Sequence, residues 1–297
     1  MIRFRDTLLV CALAVVPRSA QDPAAFHAES RLVTVDVTVR TSSGETIANL
    51  ERSAFTVYED GKPQPITLFV RDDTPVSVGM VIDNSGSMRL RRGAVEAAAL
   101  AFARASNPMD EVFVVNFADK PHLDVPLTDD VHVLEAGIAR IDSIGGTALR
   151  DAVAMAAAYL TEHGRRDRRI LMVITDGGDN SSVMSHDAVR ERAERAGIAV
   201  YAITLPPADH ARGSRGRHEL DDLAERTGGV ALHPDQLGDI ESTAIRLAHQ
   251  VRQQYTVAYS PLNPSLDGSY RKIRVVVRAP EKVSVRSRAG YFATRRK

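Results

Sequence analysis

Between Val76 and Gln253 short apolar runs alternate with amphipathic helical stretches, and this alternation most restricts what the chain can fold into. Val76 to Ile82 ends at Asp83. Glu111 to Phe117, Arg169 to Thr175, Ile198 to Leu205 and Val230 to Leu232 follow, each short enough for a buried strand. Between them the apolar residues recur at helical spacing. Val95, Ala98, Ala99 and Phe102 fall on one face of Arg89 to Ser106, and Val133, Leu134, Ile138 and Ile141 on one face of Asp130 to Ile141. Leu149, Ala152, Val153, Ala156 and Leu160 do the same over Ala148 to His163. Ser185 caps a helix closed by Gly197, Leu220 to Thr227 is a short helix stopped at Gly228-Gly229, and Asp239 to Gln253 is a last helix. His122 to Leu127 suits an edge strand. Asp209 to His218, rich in Gly and Arg, is expected to be a polar surface loop. Apolar strands alternating with helices mean a largely parallel α/β sheet covered on both faces. Such sheets bind ligands beyond the carboxyl ends of their strands.

The flanks follow a different period. In residues 26–72, Val33, Val35, Val37 and Val39 alternate with polar residues, as in a half-buried strand. Phe55 to Glu59 and Ile66 to Val70 flank Asp60-Gly61, which predicts a hairpin. Arg71 to Pro75 reads as a linker. In residues 254–293, Gln254 to Ser260 is strand-like, Asp267-Gly268 is a turn, and Ile273, Val275 and Val277 alternate before Val283 to Arg286 resumes the pattern. Neither flank has enough strands for a two-layer core of its own. Both ends are therefore expected to combine into one small β-sandwich with the middle inserted; separate hairpins packed on the central domain are the rival arrangement.

At the start, Arg3 and Arg5 precede an apolar run from Leu8 to Val16, then Pro17, Arg18, Ser19 and Ala20. This is the order of a secretory signal over residues 1–20, and the run is far shorter than the ~20 residues of a spanning helix. The chain is thus expected to be exported, to periplasm, cell envelope or exterior, with no membrane span in its mature form. Cys11 in this run is the only cysteine of the 297 residues, which excludes disulfide frameworks, cysteine-held zinc and thiol catalysis in the body of the protein. The 38 basic residues match the 38 acidic ones, leaving no global pull toward nucleic acid or anionic membrane. Aromatic residues at 5%, without tryptophan, leave little for stacking on bases or sugars.

Three loops carry the candidate chemistry. Asp83-Asn84-Ser85-Gly86-Ser87 follows the first central strand, and Gly86 lets it fold back so that one carboxylate and two hydroxyls converge. Gly145-Gly146-Thr147 brings another hydroxyl to a helix start, and Thr175-Asp176-Gly177 puts a second aspartate at a strand end. Together they offer two carboxylates and three hydroxyls, an all-oxygen set for a hard divalent cation, Mg²⁺ first and Mn²⁺ second. Taken singly, Ser85, Ser87 and Thr147 have a plainer reading as helix caps, and Asp83 and Asp176 as polar strand ends.

Val81 to Met88, Gly145 to Ala152 and Val173 to Gly178 resemble the three motif blocks of von Willebrand factor type A (VWA) domains. Asn107 to Val112 and Leu223 to Gly229 are similar to further stretches of such domains. The flanks, through Phe55 to Gly61, Asp267 to Ile273 and Arg288 to Tyr291, resemble a bacterial subgroup often seen in acidobacteria. The resemblance implies a Rossmann-like, doubly wound sheet bearing a metal-ion-dependent adhesion site. It implies that Ser85 and Ser87 bind the ion directly, Thr147 directly or through water, and Asp83 and Asp176 mainly through water. It further implies that Asn84, Gly86, Gly145 and Gly146 frame an open position that accepts an Asp or Glu carboxylate from a partner protein.

The same residues bear on other functions. Asp83 suggests the nucleophile of a haloacid-dehalogenase-type phosphatase, but Ser85 stands where a second aspartate is needed. Ser85 lacks the G-x-S-x-G elbow of a serine hydrolase. His186, His210, His218 and His233 belong to no recognisable motif and read as surface or loop residues. An intracellular subunit assisting a chelatase or ATPase is the remaining alternative; without G-x-x-x-x-G-K-[ST], the nucleotide would be handled by a separate protein. The expectation is a non-enzymatic, exported binding module.

Overall fold

The computed structural model describes residues 32–71, 73–138, 145–206 and 210–294, with the backbone alone for 210–214. The expected signal segment, Ile141 and Asp209 lie outside the described residues. In chain order the first elements are β1 (Val33–Thr41), β2 (Phe55–Glu59), β3 (Lys62–Gln64) and β4 (Ile66–Val70). The middle runs β5 (Val76–Asp83), α1 (Arg92–Ala105), β6 (Glu111–Phe117), β7 (Pro121–Thr128), α2 (Val131–Ile138) and α3 (Leu149–His163). It continues with β8 (Arg168–Thr175), α4 (His186–Ala196), β9 (Ala199–Thr204), α5 (His210–Thr227), β10 (Ala231–Leu232) and α6 (Ile240–Arg252). The last strands are β11 (Tyr255–Tyr259), β12 (Tyr270–Val277), β13 (Val283–Arg286) and β14 (Gly290–Phe292). Among the described residues no helix is long and apolar enough to cross a membrane.

The middle forms a six-stranded sheet of order β10-β9-β8-β5-β6-β7, parallel except for β7 at the edge. Every residue of β5 is buried, because helices cover both faces of the sheet. Val78, Met80 and Ile82 pack with Val95 and Phe102 of α1 and Leu247 and Val251 of α6. On the opposite face Val81 packs with Leu149, Val153 and Leu160 of α3. Gly79 is required here: a Cβ on it would stand 2.4 Å from the Phe113 ring. From β5 the chain moves outward to β6 and β7, then crosses to β8 on the other side of β5. The β5/β8 boundary is therefore the topological switch point, where the strand ends part and leave a crevice.

The two chain ends build the second layer structure. Sheets of order β13-β1-β11-β4 and β14-β12-β2-β3 face each other over Val35, Val37, Val57, Tyr255, Val257 and Val275. Each sheet mixes strands from both ends, so neither flank is a free-standing hairpin. The expected hairpin is corrected in one respect. Asp60 (φ 47°) and Gly61 (φ 80°) do form the turn, but β2 pairs with β3, while Ile66 to Val70 crosses to the other sheet and pairs with β11. Pro65 lies at the departure point, and Gln64 and Ile66 on either side of it are both buried. A second correction concerns residues 209–218. The expected loop is helical from His210 onward, as the first half of α5. The low helix propensity of Gly213, Ser214 and Gly216 is overridden by tertiary packing. Gly216 lies against the Gly177 carbonyl so closely that an added Cβ would meet it at 1.4 Å.

Gln254, between α6 and β11, knits the two sheet systems. Its amide donates to Thr38 Oγ1 at 2.9 Å and to the Tyr201 hydroxyl at 2.8 Å, while its carbonyl accepts from Arg168. Arg168 also pairs with Asp36 of β1 at 3.3 Å. Inside the sandwich Arg271 and Glu59, 2% and 3% exposed, pair at 3.2 Å. Glu59 accepts from the hydroxyls of Tyr259 (2.8 Å) and Tyr291 (2.9 Å), and Arg271 donates to the carbonyls of Asn263 and Ser265. Burial, with Glu59 alongside, pushes the Tyr259 phenol up, so it stays a donor. Removing one partner of such a pair strands the other charge in the core. Arg271→Met is expected to lower stability by about 3–5 kcal/mol, read from denaturant unfolding of the full chain. A loss below about 1 kcal/mol would mean that water reaches Glu59.

Candidate metal centre

Each site residue is placed by a strand end and then tied by hydrogen bonds to the neighbouring loops. Asp83 closes β5 and is 2% exposed. Its Oδ1 accepts from the Ser85 N–H at 2.9 Å, and its Oδ2 accepts from the Thr175 hydroxyl at 2.6 Å. Thr175 Oγ1 in turn accepts from the Gly177 N–H at 3.0 Å. The ends of β5 and β8 are thus joined across the switch point by side chains. The Asn84 N–H donates to the Phe117 carbonyl at 2.7 Å, anchoring the first loop to β6. Ser85 is buried, with its Oγ 3.1 Å from that of Ser87.

The second loop docks on the first through the Gly86 N–H, which donates to the Gly145 carbonyl at 3.1 Å. Gly145 has φ +99°, a conformation that favours glycine, and the Gly146 N–H donates to Asp119 Oδ1 at 2.6 Å. Thr147 is buried, and its N–H donates to Asn180 Oδ1 at 2.8 Å. Asp176, also buried, accepts the Gly178 N–H at 3.2 Å. A methyl group on Gly178 would stand 3.4 Å from Asp176 Oδ1 and 4.0 Å from Thr147 Oγ1, so these two oxygens border the same small space.

Asp83, Ser85, Ser87, Thr147 and Asp176 therefore gather at one end of the sheet, with Asn84, Gly86, Gly145 and Gly146 in the loops between them. The helix-cap reading does not account for the hydroxyls. Ser85 makes no side-chain cap bond to the 3-10 turn Gly86–Arg91, and the N-cap position of α3 is Ala148. Burial pushes the Asp83 carboxyl up to about 6, and Asp176 adds to that rise, while bonds from Ser85 and Thr175 oppose it. Two converging carboxylates make the crevice favourable for a cation. Among the described residues no group of three or more His, Cys, Asp or Glu is placed to hold a metal. A cation here would rest on two carboxylates and neutral hydroxyls, a donor set suited to a hard divalent ion.

Three contributors were not legible as site residues. Thr175 is in the third motif, but its bond to Asp83 depends on the parallel register of β5 and β8. Asp119 and Asn180 hold the Gly145 to Thr147 loop from separate loops, which no sequence spacing signals. His233, expected on the surface, bridges Thr204 and Asp221, and His186 bonds Asp222 at 2.9 Å; both are structural contacts outside the crevice.

Two variants test this construction by thermal and denaturant unfolding. Thr175→Val leaves a buried carboxylate oxygen without its donor and is expected to cost about 1–3 kcal/mol. Gly216→Ala forces α5 off the Gly177 carbonyl and is expected to cost about 1–3 kcal/mol through overpacking. An unchanged unfolding midpoint in either variant would contradict the contact it removes.

Residues 78–178 match the von Willebrand factor type A domain family. No curated protein matches the chain in sequence. A von Willebrand factor type A protein from Catenulispora acidiphila superposes with TM-score 0.53 at 11% identity, over 88% of this chain and 73% of its own. The vWF domain of the type V pili tip protein Mfa5 from Porphyromonas gingivalis gives 0.50 at 13% identity, over 60% of this chain and 95% of its own. A mutant of the PilB minor pilin from Streptococcus sanguinis gives 0.50 at 12% identity, over 62% and 63%. At these identities the likeness is one of fold. The family match takes in most of β5, all of β6 and β8 and the three site loops, so residues 78–178 are of the von Willebrand factor type A domain family.

Proposed function

We propose that the chain is an exported protein-binding module whose crevice holds one Mg²⁺, or Mn²⁺ in its place, and captures an Asp or Glu carboxylate of a partner protein. The observation that carries this reading is the gathering of five oxygen-bearing side chains at the β5/β8 switch point, with hydroxyls that no helix cap uses. Ser85, Ser87 and Thr147 would hold the ion together with Asp83 and Asp176. A bound divalent ion supplies an electrophilic point that attracts an outside carboxylate, the more so because three of its five protein donors are neutral. The Asp83 and Asp176 charges make the crevice cation-seeking, and Asn84, Gly86, Gly145 and Gly146 would frame the position that accepts another protein's side chain. Export rests on the N-terminal pattern of Arg3 and Arg5, the apolar run and Ser19-Ala20.

Calorimetry of the full chain is expected to give one Mg²⁺ or Mn²⁺ site, abolished in Asp83→Ala and in Ser85→Ala. Unchanged binding in both variants would remove the assignment. Recovery of a partner from the native envelope should be lost with chelator and in Asp83→Ala. Thr147→Ala should weaken partner binding more than metal binding. Steady Mg²⁺-dependent phosphoester turnover that vanishes in Asp83→Asn would replace the binding reading with an enzymatic one.

A further inference from the structure

Arg91 ends the 3-10 turn that follows the first site loop and leads directly into α1. Its guanidinium turns back toward the crevice, where Nη1 stands 3.7 Å from Asp176 Oδ2. Both side chains are largely withdrawn from water, 14% and 10% exposed. The separation is too long for a hydrogen bond, and Nη1 is buried with no hydrogen-bond partner. A buried guanidinium N–H without an acceptor is costly and calls for an explanation. Asp83, the other carboxylate, has only neutral donors: the Ser85 N–H and the Thr175 hydroxyl. The other two arginines of this segment do not share the role. Arg92 pairs with Glu96 at 2.7 Å, and Arg89 is exposed. Among the described residues, Arg91 is thus the only cation in an ion pair with a carboxylate of the site.

We propose that Arg91 is a resident counter-cation that sets the metal affinity of the crevice, holding it below what its five oxygens alone would give. This rests on the metal-binding reading above. With no divalent ion bound, the guanidinium offsets the Asp176 charge and lowers the repulsion between Asp176 and Asp83. A divalent ion draws on the same carboxylate and meets a like charge a few ångströms away in a largely dry setting, where charge interactions are weakly screened. Metal and guanidinium therefore compete for Asp176, and the free energy each gains from it is reduced by the other. The unpartnered Nη1 hydrogen fits this role, since a tight Arg91–Asp176 hydrogen bond would lock the crevice against the ion. At 3.7 Å the pair attracts without being fixed. Affinity is thus tuned by one side chain that is not itself a ligand.

The test titrates Mg²⁺ alone into the full chain by calorimetry and follows thermal unfolding with and without Mg²⁺. Arg91→Gln removes the charge while keeping a shorter polar side chain; Arg91→Ala guards against an effect particular to Gln; Arg91→Lys retains the charge. Both neutral variants are expected to bind Mg²⁺ about tenfold tighter than the parent, and Arg91→Lys within about twofold of it. Without metal the neutral variants should unfold at lower temperature, and Mg²⁺ should raise their midpoint by more than it raises the parent's. A purely structural role would lower the midpoint and leave Mg²⁺ affinity unchanged. Mg²⁺ bound by the parent but no tighter in either neutral variant would overturn the role of Arg91 alone. Mg²⁺ bound by neither the parent nor the neutral variants would overturn the metal-binding reading and this inference with it.

Discussion

The hydrogen bond from Thr175 to Asp83 is the contact on which the candidate site depends. It joins the last residues of β5 and β8, neighbouring parallel strands that continue into different loops. Parallel pairing brings both strands to the same end of the sheet, and the change of direction at β5 leaves room between the loops beyond it. The Thr175 hydroxyl and the Ser85 N–H divide the two oxygens of Asp83 between them, so the carboxylate is fixed before any ligand arrives. The Gly86–Gly145 backbone bond and the Asp119 and Asn180 side chains then bring the Gly145 to Thr147 loop into place. Preorganisation of this kind leaves a bound ion little reorganisation to impose.

A rigid floor is needed for such a crevice, and the hydrophobic layers on both faces of β5 supply it. Val78, Met80 and Ile82 face α1 and α6, and Val81 faces α3, so the strand that carries Asp83 cannot shift without disturbing both layers. The sandwich of chain ends is attached at the other end of the sheet. There Arg168, the first residue of β8, reaches Asp36 of β1 and Gln254, while Thr175, the last residue of the same strand, holds Asp83. One strand thus links the sandwich seam to the crevice. The structural match with the Catenulispora acidiphila protein spans 88% of this chain, more than the central sheet alone.

Much of this was legible in the chain. The alternation of apolar strands and amphipathic helices gave the central sheet, because strands covered on both faces must be continuously apolar and helices on a sheet must be apolar on one side. The period-two valines of β1 and the alternation in β12 gave half-buried strands for the same reason. Asp83, Ser85, Ser87, Thr147 and Asp176 were readable as candidates because each sits at a strand end or a glycine-bearing loop, where polar oxygens have no packing role. The hairpin partner of β2 is not visible in the sequence, because Lys62 to Gln64 is too short and polar to show a strand pattern, while Ile66 to Val70 shows one clearly.

What the sequence by itself determined is local: the period of each segment, the turn at Asp60-Gly61, the cap at Ser185 and the oxygens offered at the strand ends. These follow from backbone geometry and from which side chains can be withdrawn from water. What only the tertiary structure decided is which segments meet. Helicity from His210 onward runs against the propensities of Gly213 and Gly216 and accompanies the close seating of Gly216 on the Gly177 carbonyl. The exchange of strands between the two sandwich sheets, the Glu59–Arg271 pair and the approach of Arg91 to Asp176 likewise join residues from different elements. Such contacts depend on the register and crossing of whole elements. They are collective properties of the packed chain and leave no periodic mark on the residues that make them.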